Sequence, residues 1–102
     1  MLKEIETHRE QIADLCRRYG VKRLELFGSA ARGTDIEPGR SDVDFLIEFN
    51  EGQQPLFDEY FELQDELKSL LGHEVDLVAP SILRNPYIRA QVEKSRELLY
   101  AT

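Results

Sequence analysis

Residues 41–49, SDVDFLIEF, alternate between apolar and polar side chains. This period of two is typical of a half-buried β-strand, and it predicts a strand over residues 43–49. Four apolar side chains fall on one face of that strand: Val43, Phe45, Ile47 and Phe49. The opposite face carries Asp44, Leu46 and Glu48, and Asp42 extends it by one alternation.

Asp42 and Asp44 place two carboxylates on one face, roughly 6.5–7 Å apart along the strand. Carboxylates at this spacing repel each other and raise each other's pKa. A divalent cation removes that repulsion, and Mg²⁺ prefers carboxylate oxygens together with substrate phosphates. The pair is a candidate metal site, although many such pairs are only the solvated face of a strand. Glu48, four residues beyond Asp44 on the same face, is assigned to solvent.

A second feature lies upstream, where VKRLELF at 21–27 predicts a strand that ends at Gly28 and Ser29. A glycine at a strand-to-helix handover lets phosphate approach the backbone, and the N–H groups of the next turn and the Ser29 hydroxyl can bind phosphate oxygens. We expect a short helical turn over 29–32 and a loop over 34–41, with Arg32 within reach of a triphosphate.

A third carboxylate stands in EVDLVA, residues 74–79, which predicts a strand. Asp76 faces opposite to Val75 and Leu77, and a charged residue between apolar neighbours needs a reason. If this strand pairs beside the one that carries Asp42 and Asp44, three carboxylates converge. That arrangement suits a two-metal, in-line displacement.

The remaining elements follow from helical periodicity and breakers. The pattern predicts a helix over residues 2–19 that is capped by Gly20, and another over 56–71 that is capped by Gly72. The second helix is expected to turn these side chains inward: Phe57, Tyr60, Phe61, Leu67, Leu70 and Leu71. A short helix or turn starts at Pro80, and a further helix runs from Pro86 to about residue 94. Residues 97–101 fit an edge strand or a continued helix.

Composition limits the classes of function. The chain has 102 residues, which fits one domain, and a net charge of -7. An acidic chain lacks the basic face with which proteins grip nucleic-acid backbones, so no direct nucleic-acid binding is expected. A small-molecule substrate or a basic protein partner fits better. Its one cysteine excludes an internal disulfide. No membrane-spanning run or signal peptide is recognised, and the cytoplasm is the expected location.

Taken together, GSAARG at 28–33, SDVDFLI at 41–47 and VDLV at 75–78 resemble the nucleotidyltransferase superfamily related to DNA polymerase beta. The short length and layout are similar to its minimal branch, the MNT-domain proteins. The resemblance implies an α/β (α+β) fold, a small mixed sheet with helices packed on one face. It also implies that Gly28 and Ser29 hold the triphosphate of ATP, while Asp42, Asp44 and Asp76 form a catalytic site with two Mg²⁺ ions.

The chain departs from its relatives in two places. Ala30 stands where many relatives have arginine, which would weaken phosphate binding. The loop between Ser29 and Asp42 is also a couple of residues longer, a change that costs little. All three acids are present, so the resemblance still implies an active enzyme.

The resemblance further implies a partner, because minimal members act as antitoxins that add AMP to a tyrosine of a HEPN ribonuclease toxin. We therefore expect a protein adenylyltransferase that forms a hetero-oligomer. Two alternatives stay open. The chain could be a non-catalytic antitoxin that masks its partner, or a catalytic subunit that modifies a small-molecule alcohol.

Overall fold

Four strands form one mixed sheet in the part of the chain that the computed structural model describes, residues 3–28 and 42–102. Their bounds are Val21–Phe27 (β1), Asp42–Phe49 (β2), Glu74–Val78 (β3) and Glu97–Ala101 (β4). The order is β3-β2-β1-β4, with β1 antiparallel to β2 and β4, and β2 parallel to β3. The predicted strands and mixed sheet are confirmed, and the tail is an edge strand rather than a helix.

The helices accompany this sheet. Their bounds are Lys3–Thr7 (α1), Arg9–Arg18 (α2), Phe57–Leu71 (α3) and Pro86–Glu93 (α4), with a short 3-10 helix at Pro80–Arg84. The helix predicted over residues 2–19 is interrupted at His8, whose ring Nδ1 lies 2.8 Å from the Glu4 carbonyl oxygen. Gly20 and Gly72 follow α2 and α3 as predicted. No helix in the described part of the chain is long and apolar enough to cross a membrane.

The main core lies on one face of the sheet. Val43, Phe45 and Ile47 are buried there, as the alternation predicted, and they pack with side chains of α1, α2 and α3. Leu46, which points to the opposite face, is also buried. A cavity on that side is lined by Leu46 together with Pro80 and Leu83, so the 3-10 helix lies over this part of the second face.

The buried stripe of α3 differs from the prediction. Phe57 and Phe61 were expected to turn inward, yet they are 76% and 45% exposed. The buried stripe instead follows Leu63, Leu67 and Leu71, which recur every fourth residue. At about 100° per residue, Phe61 lies about 160° and Phe57 about 120° around the helix from Leu63. Both aromatic rings are therefore too far round the helix to reach the sheet.

Candidate active site

Asp44 and Asp76 lie side by side on the two parallel strands of the sheet. They are register partners between β2 and β3, one strand spacing apart, which is about 4.8 Å. Their neighbours Val43, Phe45 and Val75 are buried in the main core, so alternation directs both carboxylates to the opposite face. The strand pairing on which the convergence of acids depended is therefore present.

The other predicted site residues are described less fully. The backbone of Asp42 is paired in register with Glu74 at the start of β2, and its side chain lies outside the described part of the structure. Ser29 and Arg32 also lie outside the described residues, as do the turn and loop predicted around them. Within the described side chains, no group of three or more acids, histidines or cysteines could hold a metal ion.

Gly28 stands directly against the Asp44 carboxylate at the end of β1. Its φ is +76°, a conformation that side chains rarely adopt. A Cβ at this position would lie 3.0 Å from Asp44 Oδ2, closer than side-chain carbons normally approach. The cross-strand pair of Phe27 and Asp44 places the glycine there. The end of β1 therefore adjoins Asp44 and Asp76, which we call the acid pair. The close approach of Gly28 to Asp44 requires a residue without a side chain.

Ser95 holds this glycine from the far end of the chain. The Gly28 N–H donates to Ser95 Oγ over 2.9 Å, between residues 67 positions apart. The backbone N–H of Ser95 donates in turn to the Val92 carbonyl oxygen at the end of α4. The sequence did not predict this role of Ser95. A single serine between a helix and a strand carries no signal that it contacts Gly28, 67 positions away.

A buried carboxylate anchors the same C-terminal segment. Glu25 is only 4% exposed, and Arg96 donates to it from Nε and a terminal nitrogen, each over 2.7 Å. Arg23 Nε donates to the same carboxylate over 2.8 Å. These charged hydrogen bonds, from Arg96 above all, hold the pKa of Glu25 below its usual value despite burial. The signal was present in the sequence, since Glu25 sits between Leu24 and Leu26 just as Asp76 sits between apolar neighbours.

A cavity of about 270 Å³ lies beside this network, on the face that carries Asp44. Its lining includes Arg23 and Arg96, which suggests an anion site at first sight. Both guanidinium groups are already bound to Glu25, and Arg96 also binds Glu93 over 2.6 Å. The charges of Arg23 and Arg96 are therefore compensated within the protein, and we do not expect this cavity to bind phosphate.

The sequence of the chain matches those of known nucleotidyltransferases. The family model described as "Nucleotidyltransferase domain" matches residues 8–99 of the chain. A Methanocaldococcus jannaschii protein, named as a candidate protein adenylyltransferase, is 40% identical over 97% of this chain and 93% of its own length. The protein adenylyltransferase MntA of Thermococcus cleftensis is 36% identical over 97% of this chain and 94% of its own length.

Solved structures give the same result for the fold. A structure described as a candidate minimal nucleotidyltransferase superposes with a TM-score of 0.72 at 36% identity, covering 95% of each chain. A toxin-antitoxin crystal structure with AMP-PNP superposes with a TM-score of 0.65 at 28% identity, covering 92% of this chain and 73% of that one. The mixed sheet and its helices are thus those of a minimal nucleotidyltransferase.

Proposed function

The chain belongs to the nucleotidyltransferase domain family, and from that premise we propose that it transfers AMP from ATP to a tyrosine hydroxyl of a HEPN-family ribonuclease toxin. One observation carries the proposal: Asp44 and Asp76 share a register on parallel strands, and Gly28 stands against Asp44. The names of the relatives support AMP as the transferred group. The toxin-antitoxin structure with AMP-PNP supports an ATP-like substrate and a toxin as the partner.

Each residue has a separate role in this proposal. Gly28, which has no side chain, lets the phosphates of ATP approach the backbone, and the Ser29 hydroxyl and Arg32 bind them. Asp42, Asp44 and Asp76 supply the carboxylate oxygens that Mg²⁺ prefers, and Gly28 keeps a side chain away from Asp44 Oδ2. Two bound Mg²⁺ ions would neutralise charge on the phosphates during transfer.

The bond changes are those of a single displacement. The acceptor oxygen forms a bond to the α-phosphorus, and the bond from that phosphorus to the bridging oxygen of the β-phosphate breaks. Pyrophosphate leaves with the electron pair of the broken bond. Asp76, an exposed carboxylate in the described structure, takes the proton of the hydroxyl.

Asp44→Asn tests the chemistry. The variant nearly preserves the shape of the side chain but removes one carboxylate charge. We therefore expect transfer of labelled AMP to the purified partner to fall at least about 100-fold, a loss typical of removing one group that stabilises charge in the transition state. Glu48→Gln is the matched control, because it makes the same change on the same strand and face. The Glu48 carboxylate lies 3.9 Å from Lys22 Nζ at the surface, and we expect its loss to leave transfer unchanged.

A growth-rescue assay separates transfer from masking. At matched expression, the Asp42→Asn, Asp44→Asn double variant should bind the partner but fail to protect cells from it. Protection equal to that of the wild-type chain would mean that masking is the function. Full transfer activity in Asp44→Asn would mean that Asp44 is not part of the catalytic site.

A further inference from the structure

An apolar patch stands exposed at the start of α3, away from the acid pair. Leu56, Phe57 and Phe61 are 73%, 76% and 45% exposed, and they are neighbours on the first turns of one helix. Soluble proteins expose single apolar side chains freely, but a cluster of large ones marks a contact surface. We call these three residues the α3 patch.

The patch is held in shape before any partner arrives. The Phe57 and Phe61 rings meet edge to face with centroids 4.7 Å apart, and Phe61 meets Tyr60 at 6.1 Å. Tyr60 is fixed in turn, because its hydroxyl donates to the Leu77 carbonyl oxygen over 2.9 Å. Aromatic anchors that are already ordered lose little conformational entropy on binding, so they suit the centre of an interface.

The fold itself gives no reason for these side chains. Leu56 is the N-cap of α3, and its side chain makes no capping hydrogen bond. Leucine at this position stabilises a helix less than serine, threonine or aspartate would. Neither helix capping nor core packing therefore accounts for Leu56.

Acidic residues surround the patch and define the partner. Asp58, Glu59 and Glu62 are exposed, and none of them forms an ion pair within the described part of the chain. A second copy of this chain would bring the same acidic rim against itself, and like charges that face each other disfavour association. A partner with an apolar cleft bordered by lysine and arginine meets both features.

We propose that the α3 patch is the docking surface for a basic protein partner. This inference rests on the proposed function, which makes the partner the HEPN-family toxin. A cleft of that toxin receives Phe57 and Phe61. The α3 helix packs on the core face of the sheet, whereas Asp44 and Asp76 point to the other face. Substitutions in the patch therefore leave the acid pair intact and can separate docking from chemistry, and the partner must also extend to the acid pair to present its tyrosine.

Phe57→Ser tests the surface, with Tyr87→Ser as its matched control. Tyr87 is an aromatic residue of α4 that is 75% exposed, so both variants remove an equally exposed ring. We expect Phe57→Ser to weaken binding of the purified HEPN-family partner about 30-fold, which corresponds to about 2 kcal/mol. Tyr87→Ser should bind as the wild type does. Both variants should keep the wild-type thermal midpoint and the wild-type affinity for AMP-PNP with Mg²⁺, measured by calorimetry.

The acidic rim has its own readout. The double variant Asp58→Asn, Glu62→Gln should lower the association rate constant several-fold at low salt and match the wild type at high salt, because rim charges act chiefly on encounter. An unchanged rate constant at low salt would remove the charge argument for a basic partner.

Three further outcomes distinguish errors in the docking surface, in the proposed chemistry and in the proposed occupant. If Phe57→Ser binds the partner as the wild type does, the surface assignment is wrong while the proposed chemistry stands. If the partner receives no AMP but binds the wild-type chain more tightly than Phe57→Ser, the chemistry is wrong and the surface is supported. If the wild-type chain binds no such partner, or forms a dimer in solution that Phe57→Ser abolishes, the occupant proposed for the patch is wrong.

Discussion

Gly28 shows how one position can carry both a backbone and a steric requirement. Gly52 shares its φ of +76°, but a Cβ there meets nothing within 4 Å. Any alanine in this conformation costs about 1–2 kcal/mol of stability. Gly28 adds the contact with the Asp44 carboxylate, and the pair of glycines therefore separates the two effects.

Gly28→Ala should lose about 1–2 kcal/mol of unfolding free energy, as should its control Gly52→Ala. Only Gly28→Ala should also raise the KM for ATP, at least about tenfold, because its methyl group displaces the carboxylate beside the phosphate site. Urea unfolding and steady-state kinetics measure the two effects. Equal kinetics in both variants would mean that the contact with Asp44 does not matter for activity.

Ser95 acts on the site through Gly28 and is a positioning residue. Ser95→Ala removes the acceptor of the Gly28 N–H, a loss of about 1 kcal/mol in stability. With the backbone of Gly28 less well fixed, we expect the KM for ATP to rise several-fold at a nearly constant kcat. Ser95→Thr keeps a hydroxyl and should restore the KM. Identical kinetics in the alanine and threonine variants would argue for a purely structural role.

At the scale of elements, Glu25 joins β1 to the segment that leads into β4. Its pKa is lowered in the folded state by Arg96 and Arg23, relative to an ordinary value of 4.5. A depressed carboxylate pKa stabilises the fold above the ordinary value, and this contribution is lost as the pH falls below 4.5 through the folded pKa. Acid should therefore loosen this junction.

Glu25→Gln should remove that part of the pH dependence. At pH 7 we expect the variant to be less stable by about 1–3 kcal/mol, because charged hydrogen bonds are lost. Between pH 5 and pH 3 the difference from the wild type should shrink. Urea midpoints across this range measure it, with the surface variant Glu48→Gln as control. A constant difference at every pH would contradict the assignment.

The elements also show what the sequence can predict. Strict alternation in β2 and β3 identified both strands and the face of Asp44 and Asp76, because each strand has only two faces. In α3 the aromatic residues near its start suggested an inward face, but the buried stripe depends on where the helix meets the sheet. Sequence spacing alone does not fix that angle. Ser95 was missed for a related reason, since its contact with Gly28 depends on the order of strands.

At the scale of the whole molecule, net charge is the dominant property. With a charge of -7, the chain offers little attraction to a phosphate backbone. We expect no binding to a labelled single-stranded RNA below about 100 μM at physiological salt, measured by fluorescence anisotropy. Tight RNA binding that weakens steeply with added salt would reveal a local basic surface and contradict this expectation.

The bond between Gly28 and Ser95 also affects how the protein matures on the ribosome. Its two residues are 67 positions apart, and translation proceeds at about 5–20 residues per second, so Ser95 is made roughly 3–13 s after Gly28. Until then the backbone of Gly28, beside the proposed phosphate site, lacks this hydrogen bond. A nascent chain therefore completes the proposed catalytic surface only as β4 is made, and the adenylylation activity that we propose begins only after residues 95–101 have been added.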